Sequence, residues 1–158
     1  MSVERQTEPE KQAAFEQWPD GVSFGVLRDL IGYALRRAQI AIYRDFFASV
    51  GADGITPPLF AALVLIAENP DINQSRLGEI LGVNRAAAKA LVDRLTAPKL
   101  VERQASPSDR RANTIRLTPE GQARLGDLIR QVQAHDARVA RRLAPEDLSL
   151  LRDLLGRF

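Results

Sequence analysis

Between Asn73 and Gly121 the hydrophobic period of the chain changes twice, and few architectures accept that order. A short helical pattern begins at Asn73, carries Leu77, Ile80 and Leu81, and is broken by Gly82. A second begins at Asn84, carries Ala87, Ala88, Leu91, Val92 and Leu95, and ends at Pro98. Asn suits both starts because its side-chain carbonyl accepts an N–H that the first helical turn leaves unpaired. The period then falls to two. Leu100-Val101-Glu102-Arg103 and Thr114-Ile115-Arg116-Leu117 alternate in character and read as short strands. The stretch between them, residues 105–113, is polar, basic and full of turn formers. Thr118-Pro119-Glu120 starts a further helix, with Thr at the cap and Pro in the first turn.

The flanks are helical too. Residues 22–50 carry an apolar stripe at Leu27, Leu30, Ile31, Ala34, Leu35, Ala38, Ala41 and Ile42, with Tyr33, Ile40, Tyr43, Phe46, Phe47 and Val50 partly off it. Such a helix is expected to be buried on more than one side. Thr56-Pro57 starts the next helix, which carries Leu59, Phe60, Leu63, Val64 and Ile66. After Thr118 a long helix is expected to about Leu143, with a last amphipathic one through Leu148, Leu151, Leu154, Leu155 and Phe158. The two ends expose more apolar surface than a chain of 158 residues covers alone, so a second copy is expected to cover it. The expected division is a polar arm over 1–20 with Trp18 as an anchor, a dimerisation helix over 21–55, a winged helix-turn-helix domain over 56–118 and dimerisation helices over 119–158. The fold class is mainly α: a winged helix-turn-helix whose N- and C-terminal helices form an intertwined dimerisation domain.

Composition narrows the function. The chain has no cysteine and one histidine, which excludes a disulfide scaffold, a thiolate metal site and a histidine-rich metal site. No apolar run approaches the roughly 18 residues of a membrane span, and no secretory signal is evident, so a cytoplasmic protein is expected. No nucleophile–base pair, phosphate-binding glycine loop or metal-spaced ligand set is visible. An enzyme is therefore not expected, and neither a cofactor nor a metal. The lone His135 reads as a surface or interface residue beside Asp136. Charge is unevenly placed: residues 76–116 hold nine basic and four acidic groups, or +5, against +2 for the whole chain. A local basic excess of this kind is the footprint of a polyanion site.

A recognition helix must bury one stripe and present another to the major groove. Ala88, Leu91 and Leu95 supply the first stripe. Arg85, Ala86 and Lys89 lie toward the other side, so double-stranded DNA is the expected partner. Arg85 suits guanine or a phosphate, Ala86 a thymine methyl, and Lys89 a phosphate. On the hairpin tip, a guanidinium would be drawn into the minor groove by its negative potential.

Here the chain resembles the MarR (multiple antibiotic resistance regulator) family of winged-helix transcription factors. The resemblance lies in Leu91-Val92-Asp93-Arg94-Leu95, Leu100-Val101-Glu102-Arg103, Ser106-Pro107-Ser108-Asp109-Arg110-Arg111 and Ile115-Arg116-Leu117-Thr118-Pro119-Glu120-Gly121, and covers about residues 25–157. It implies a triangular homodimer that reads a pseudo-palindrome. It also implies a DNA-binding wing of Ser106, Asp109, Arg110 and Arg111, in which Arg111 enters the minor groove, Asp109 orients it and Arg110 lies near phosphate. Three departures stand out. Lys99 replaces the family's usual glycine before the Leu-Val pair, so the turn is expected to take another geometry. The recognition helix starts Arg85-Ala86-Ala87-Ala88-Lys89, poor in the family's Ser and Thr. Without cysteine, the peroxide-sensing branch is excluded.

Many members of this family release DNA when a small aromatic anion binds. The resemblance implies a ligand site at Tyr33, Arg36, Arg37, Ile40, Tyr43 and Phe60, taking an aromatic carboxylate or its coenzyme A thioester. Adjacent residues on a helix point about 100° apart, so one of Arg36 and Arg37 is expected to enter the site. The competing reading is an architectural, ligand-independent winged-helix DNA binder.

Overall fold

The computed structural model describes residues 21–70, 72–105 and 113–158. Compactness divides the chain into two units, Met1–Gln39 and Ile40–Phe158. The arm over 1–20 with its Trp18 lies outside the described residues. So does the hairpin tip with Ser106, Asp109, Arg110 and Arg111.

In the first unit, a single helix over 22–50 is not what forms. Gly25–Asp29 is a 3-10 turn, Leu30 is extended at φ −90° and ψ 119°, and only then does α1 (Ile31–Ser49) begin. The Tyr33 and Phe24 rings lie tilted at 39° with 6.4 Å between centroids. Val22, Val26, Leu27, Leu30, Ile31 and Leu35 are all exposed within one chain.

The second unit takes the rest of α1 and then α2 (Pro57–Glu68), α3 (Gln74–Ile80), α4 (Arg85–Thr96), β1 (Val101–Ala105), β2 (Asn113–Leu117), α5 (Pro119–Ala140) and α6 (Pro145–Leu155). Four helix starts follow from side-chain caps. Thr56 accepts from Leu59 N–H, Asn73 from Arg76, Asn84 from Ala87 and Thr118 from Gly121. The strands pair antiparallel, with Val101 opposite Leu117 and Arg103 opposite Ile115. Ile115 N–H also donates to Ile72 O at 2.9 Å, which ties the hairpin to the start of α3. The core runs through Leu59, Leu63, Ile66, Leu77, Val92, Leu95, Val101, Ile115 and Leu128. Ile80, expected inward beside Leu77, is exposed. On α4 the buried stripe is Ala88, Val92 and Leu95, with Leu91 half-buried.

Two junction residues carry the geometry that the site needs. Lys99 takes the left-handed conformation, φ 57°. The expectation of a different turn is thus corrected: lysine adopts the glycine conformation. Leu100 N–H donates to Leu95 O at 3.0 Å and Lys99 N–H to Thr96 O at 2.9 Å. Those are the 6→1 and 5→2 bonds of a Schellman motif, which closes α4 and turns the chain into β1. Thr118 Oγ1 then donates to Lys99 O at 2.6 Å, locking that turn to the start of α5. At Gly121, a Cβ would stand 1.9 Å from Leu100 O. Glycine is needed there because α5 passes directly against the Leu100 backbone.

His135 is also corrected. It is not on the surface. It is 5% exposed, lies edge-on to Phe46 with 5.5 Å between ring centroids, and bonds to Asp45 of α1. Among the described residues, no helix is long and apolar enough to cross a membrane, and no three His, Cys, Asp or Glu are grouped to hold a metal ion.

Candidate nucleic-acid interface

The exposed side of α4 begins at its Asn84 cap. Arg85, Ala86 and Lys89 are all exposed there, on one end of the helix, while Ala88, Val92 and Leu95 anchor the opposite side in the core. The structure therefore brings together the three expected groove residues of this helix. Among the described residues, Arg85 has no ion pair. Lys89 has one: its Nζ lies 2.5 Å from Asp93 Oδ2, one turn along α4. Arg103 of β1 reaches the other oxygen, with Nη2 2.7 Å from Asp93 Oδ1. Asp93 thus takes one cation from the helix and one from the first wing strand. The Arg103 and Lys89 hydrogen bonds hold its carboxyl below the usual carboxylate range.

Sequence reasoning did not single out Asp93 and Arg103, although both lie in the segments that carry the family resemblance. Their signal is weak in one dimension, because ten residues and a chain reversal separate them. A similar tie fixes the other end of α4. Arg94 Nη2 donates to Gly54 O at 3.1 Å, and Arg124 of α5 pairs with Asp53 at 2.6 Å.

The expected ligand residues fall in both units. Tyr33, Arg36 and Arg37 belong to the first, and Ile40, Tyr43 and Phe60 to the second. Tyr33, Arg37, Tyr43 and Phe60 are half-buried; Arg36 and Ile40 are exposed. Arg36 Nη1 donates to Gln39 Oε1 at 3.2 Å and has no carboxylate partner among the described residues. Within the second unit a cleft of about 640 Å³ opens between the turn at Asp53–Ile55, the end of α4 and the start of α5. None of the six expected ligand residues lines it.

A model of the MarR family matches residues 53–112, the span from the turn before α2 through the hairpin tip. A protein assigned to transcriptional regulation of the hcr operon of Thauera aromatica is 34% identical over 135 residues, covering 85% of this chain and 81% of that one. The chain belongs to the MarR family. Solved transcriptional regulators share its fold over nearly their whole length. The repressor CouR, bound to a 23-mer DNA duplex, superposes with a TM-score of 0.80 at 34% identity, covering 86% of this chain and 96% of that one. CouR has also been solved bound to p-coumaroyl-CoA. The PcaV regulator of Streptomyces coelicolor, in complex with its natural ligand, superposes with a TM-score of 0.77 at 26% identity, covering 86% and 96%. The fold class expected from sequence is thereby established as a MarR-type winged helix, and the chain as a MarR-type transcriptional regulator.

Proposed function

We propose that the chain is a homodimeric, ligand-responsive repressor that binds a pseudo-palindromic operator and leaves it when an aromatic acid or its coenzyme A thioester binds. The observation that carries this reading is the likeness to CouR, a repressor solved both on a DNA duplex and with p-coumaroyl-CoA. In this reading Arg85 takes a base or the adjoining phosphate, Ala86 a thymine methyl and Lys89 a phosphate. On the wing, which also includes Ser106, Arg111 enters the minor groove, Asp109 orients it and Arg110 lies near phosphate. Tyr33, Arg36, Arg37, Ile40, Tyr43 and Phe60 receive the effector. Arg36 supports this assignment, as an exposed guanidinium bonded to a neutral amide is open to a carboxylate or a phosphate.

The switch follows from geometry. Two recognition helices must stand about 34–36 Å apart to enter successive turns of one groove face. An effector weakens DNA binding only by preferring another spacing. A tenfold loss needs a preference of about 1.4 kcal/mol. One buried aromatic ring with one guanidinium–anion contact is of that order. The test is a melting and gel-shift panel of aromatic acids and their coenzyme A thioesters. A ligand that binds only the native state raises its melting temperature. The effector is expected to do so and to release DNA, and Arg36→Ala to blunt that release more than basal DNA binding. A panel that neither shifts melting nor releases DNA overturns the effector class.

A further inference from the structure

Asp93 sits on the side of α4 that carries Lys89 yet has the wrong charge for a polyanion. A carboxylate there repels phosphate unless something neutralises it, and two cations do. Lys89 Nζ is 2.5 Å away within the helix, and Arg103 Nη2 is 2.7 Å away on β1. All three side chains keep more than a third of their surface in solvent: 66% for Lys89, 41% for Asp93 and 36% for Arg103. An exposed pair of this kind adds little to stability. Its order along the helix, with the cation N-terminal to the acid, is also the weaker arrangement for helix formation. The cluster is thus poorly explained as a structural prop. What it does accomplish is to fix where two cations stand and to join the recognition helix to the wing strand.

We infer that Asp93 is a positioning and specificity residue: it holds Lys89 and Arg103 where the selected sequence presents its phosphates and restrains both from reaching the phosphates of other duplexes. This rests on the reading of α4 as the DNA-contacting helix. With Asp93 in place the three groups carry +1; with asparagine they carry +2. A cation freed from the acid neutralises a phosphate on any duplex, and each such contact adds about 0.9 to the salt slope of binding. Binding to the selected sequence gains less, because the freed side chains lose their fixed positions. Discrimination therefore falls although affinity for arbitrary DNA rises.

The experiment uses the full chain and two duplexes: one selected by the wild-type protein from a randomised pool, and one of random sequence. Asp93→Asn is expected to steepen the log–log salt dependence on the random duplex by about 0.9, and to reduce the preference for the selected duplex severalfold. Adding Lys89→Ala in that background should remove the increment if Lys89 is the freed cation; if it persists, Arg103→Gln should remove it. An unchanged slope and preference overturn the inference. So does a parallel loss on both duplexes, which marks a merely structural residue. Should Asp93→Asn fail to fold, Arg103→Gln applies the same test with the opposite sign. The cluster then carries no net charge, the slope flattens and the preference still falls; an unaltered preference overturns the inference. A wild-type chain that selects no duplex overturns the DNA-contacting reading along with it, whereas selection by wild type and an indifferent Asp93→Asn overturn this inference alone.

Discussion

Lysine at position 99 holds a backbone conformation that a side chain disfavours by roughly 1–2 kcal/mol. The Schellman bonds and the Thr118 hydroxyl overcome that preference, and none of them uses the Lys99 side chain. Lys99→Gly therefore keeps every bond and relieves the strain. Glycine's greater freedom in the unfolded chain takes back about 0.4–1 kcal/mol. The expected result is a gain of about 0.5–1 kcal/mol, read as a higher urea midpoint with an unchanged slope. Gly121 should respond in the opposite sense. A methyl group there meets a backbone carbonyl rather than a flexible side chain, so α5 or the α4–β1 turn must shift. Gly121→Ala is expected to destabilise by about 1–3 kcal/mol, measured in the same denaturation. The Thr-Pro-Glu-Gly junction is thus fixed by packing: its Thr caps α5 and grips the preceding turn, and its Gly lets the two segments touch.

Four helix starts were readable because each rests on one local side chain. Thr56, Asn73, Asn84 and Thr118 all cap where the composition predicts. The change of period at Leu100 likewise announced the hairpin. The break at Leu30 was not readable, because the apolar stripe runs through it and periodicity alone does not register one extended residue. Partnerships between distant elements were also invisible. Asp45 and His135 lie ninety residues apart, and neither looks unusual locally. In the folded chain the carboxylate can only accept, so His135 Nδ1 carries the proton and donates at 2.6 Å; Arg138 adds a second contact at 3.3 Å. The His135 bond, helped by Arg138, lowers the Asp45 carboxyl below its ordinary value. A carboxyl lowered on folding contributes stability above the unfolded value, about 4, and loses it as pH falls toward the folded value. Asp45→Asn keeps an acceptor for the ring but no charge. Wild type should exceed it in melting temperature at neutral pH, with the gap closing as pH drops below about 4. A gap that stays constant through acid would show that the charge of Asp45 is not what joins α1 to α5.

The exposed apolar residues at the two ends of the chain call for a second copy. In the first unit Val22, Val26, Leu27, Leu30, Ile31 and Leu35 face solvent; on and after α6 so do Leu150, Leu151, Leu154, Leu155 and Phe158, the last at 90% exposure. Scattered apolar residues on a surface need no explanation, but five within nine residues of one short helix and its end do. Leu151, Leu154 and Leu155 recur at helical spacing, the stripe that a partner helix takes. A winged helix that reads a pseudo-palindrome also needs two copies, because one recognition helix reads only one half-site. Both demands are met if the end helices of two chains cover each other. The chain should then sediment at twice its 17.5 kDa mass at micromolar concentration. Replacing Leu151 and Leu154 by Asp places two carboxylates in that apolar seam. The variant should sediment as one chain and lose most of its affinity for a two-half-site duplex. Its residual binding should match that of wild type to a single half-site, since α4 and the wing lie in another part of the chain. A double variant that remains a dimer would move the interface elsewhere, and one that is monomeric yet binds the full duplex normally would remove the need for paired recognition helices.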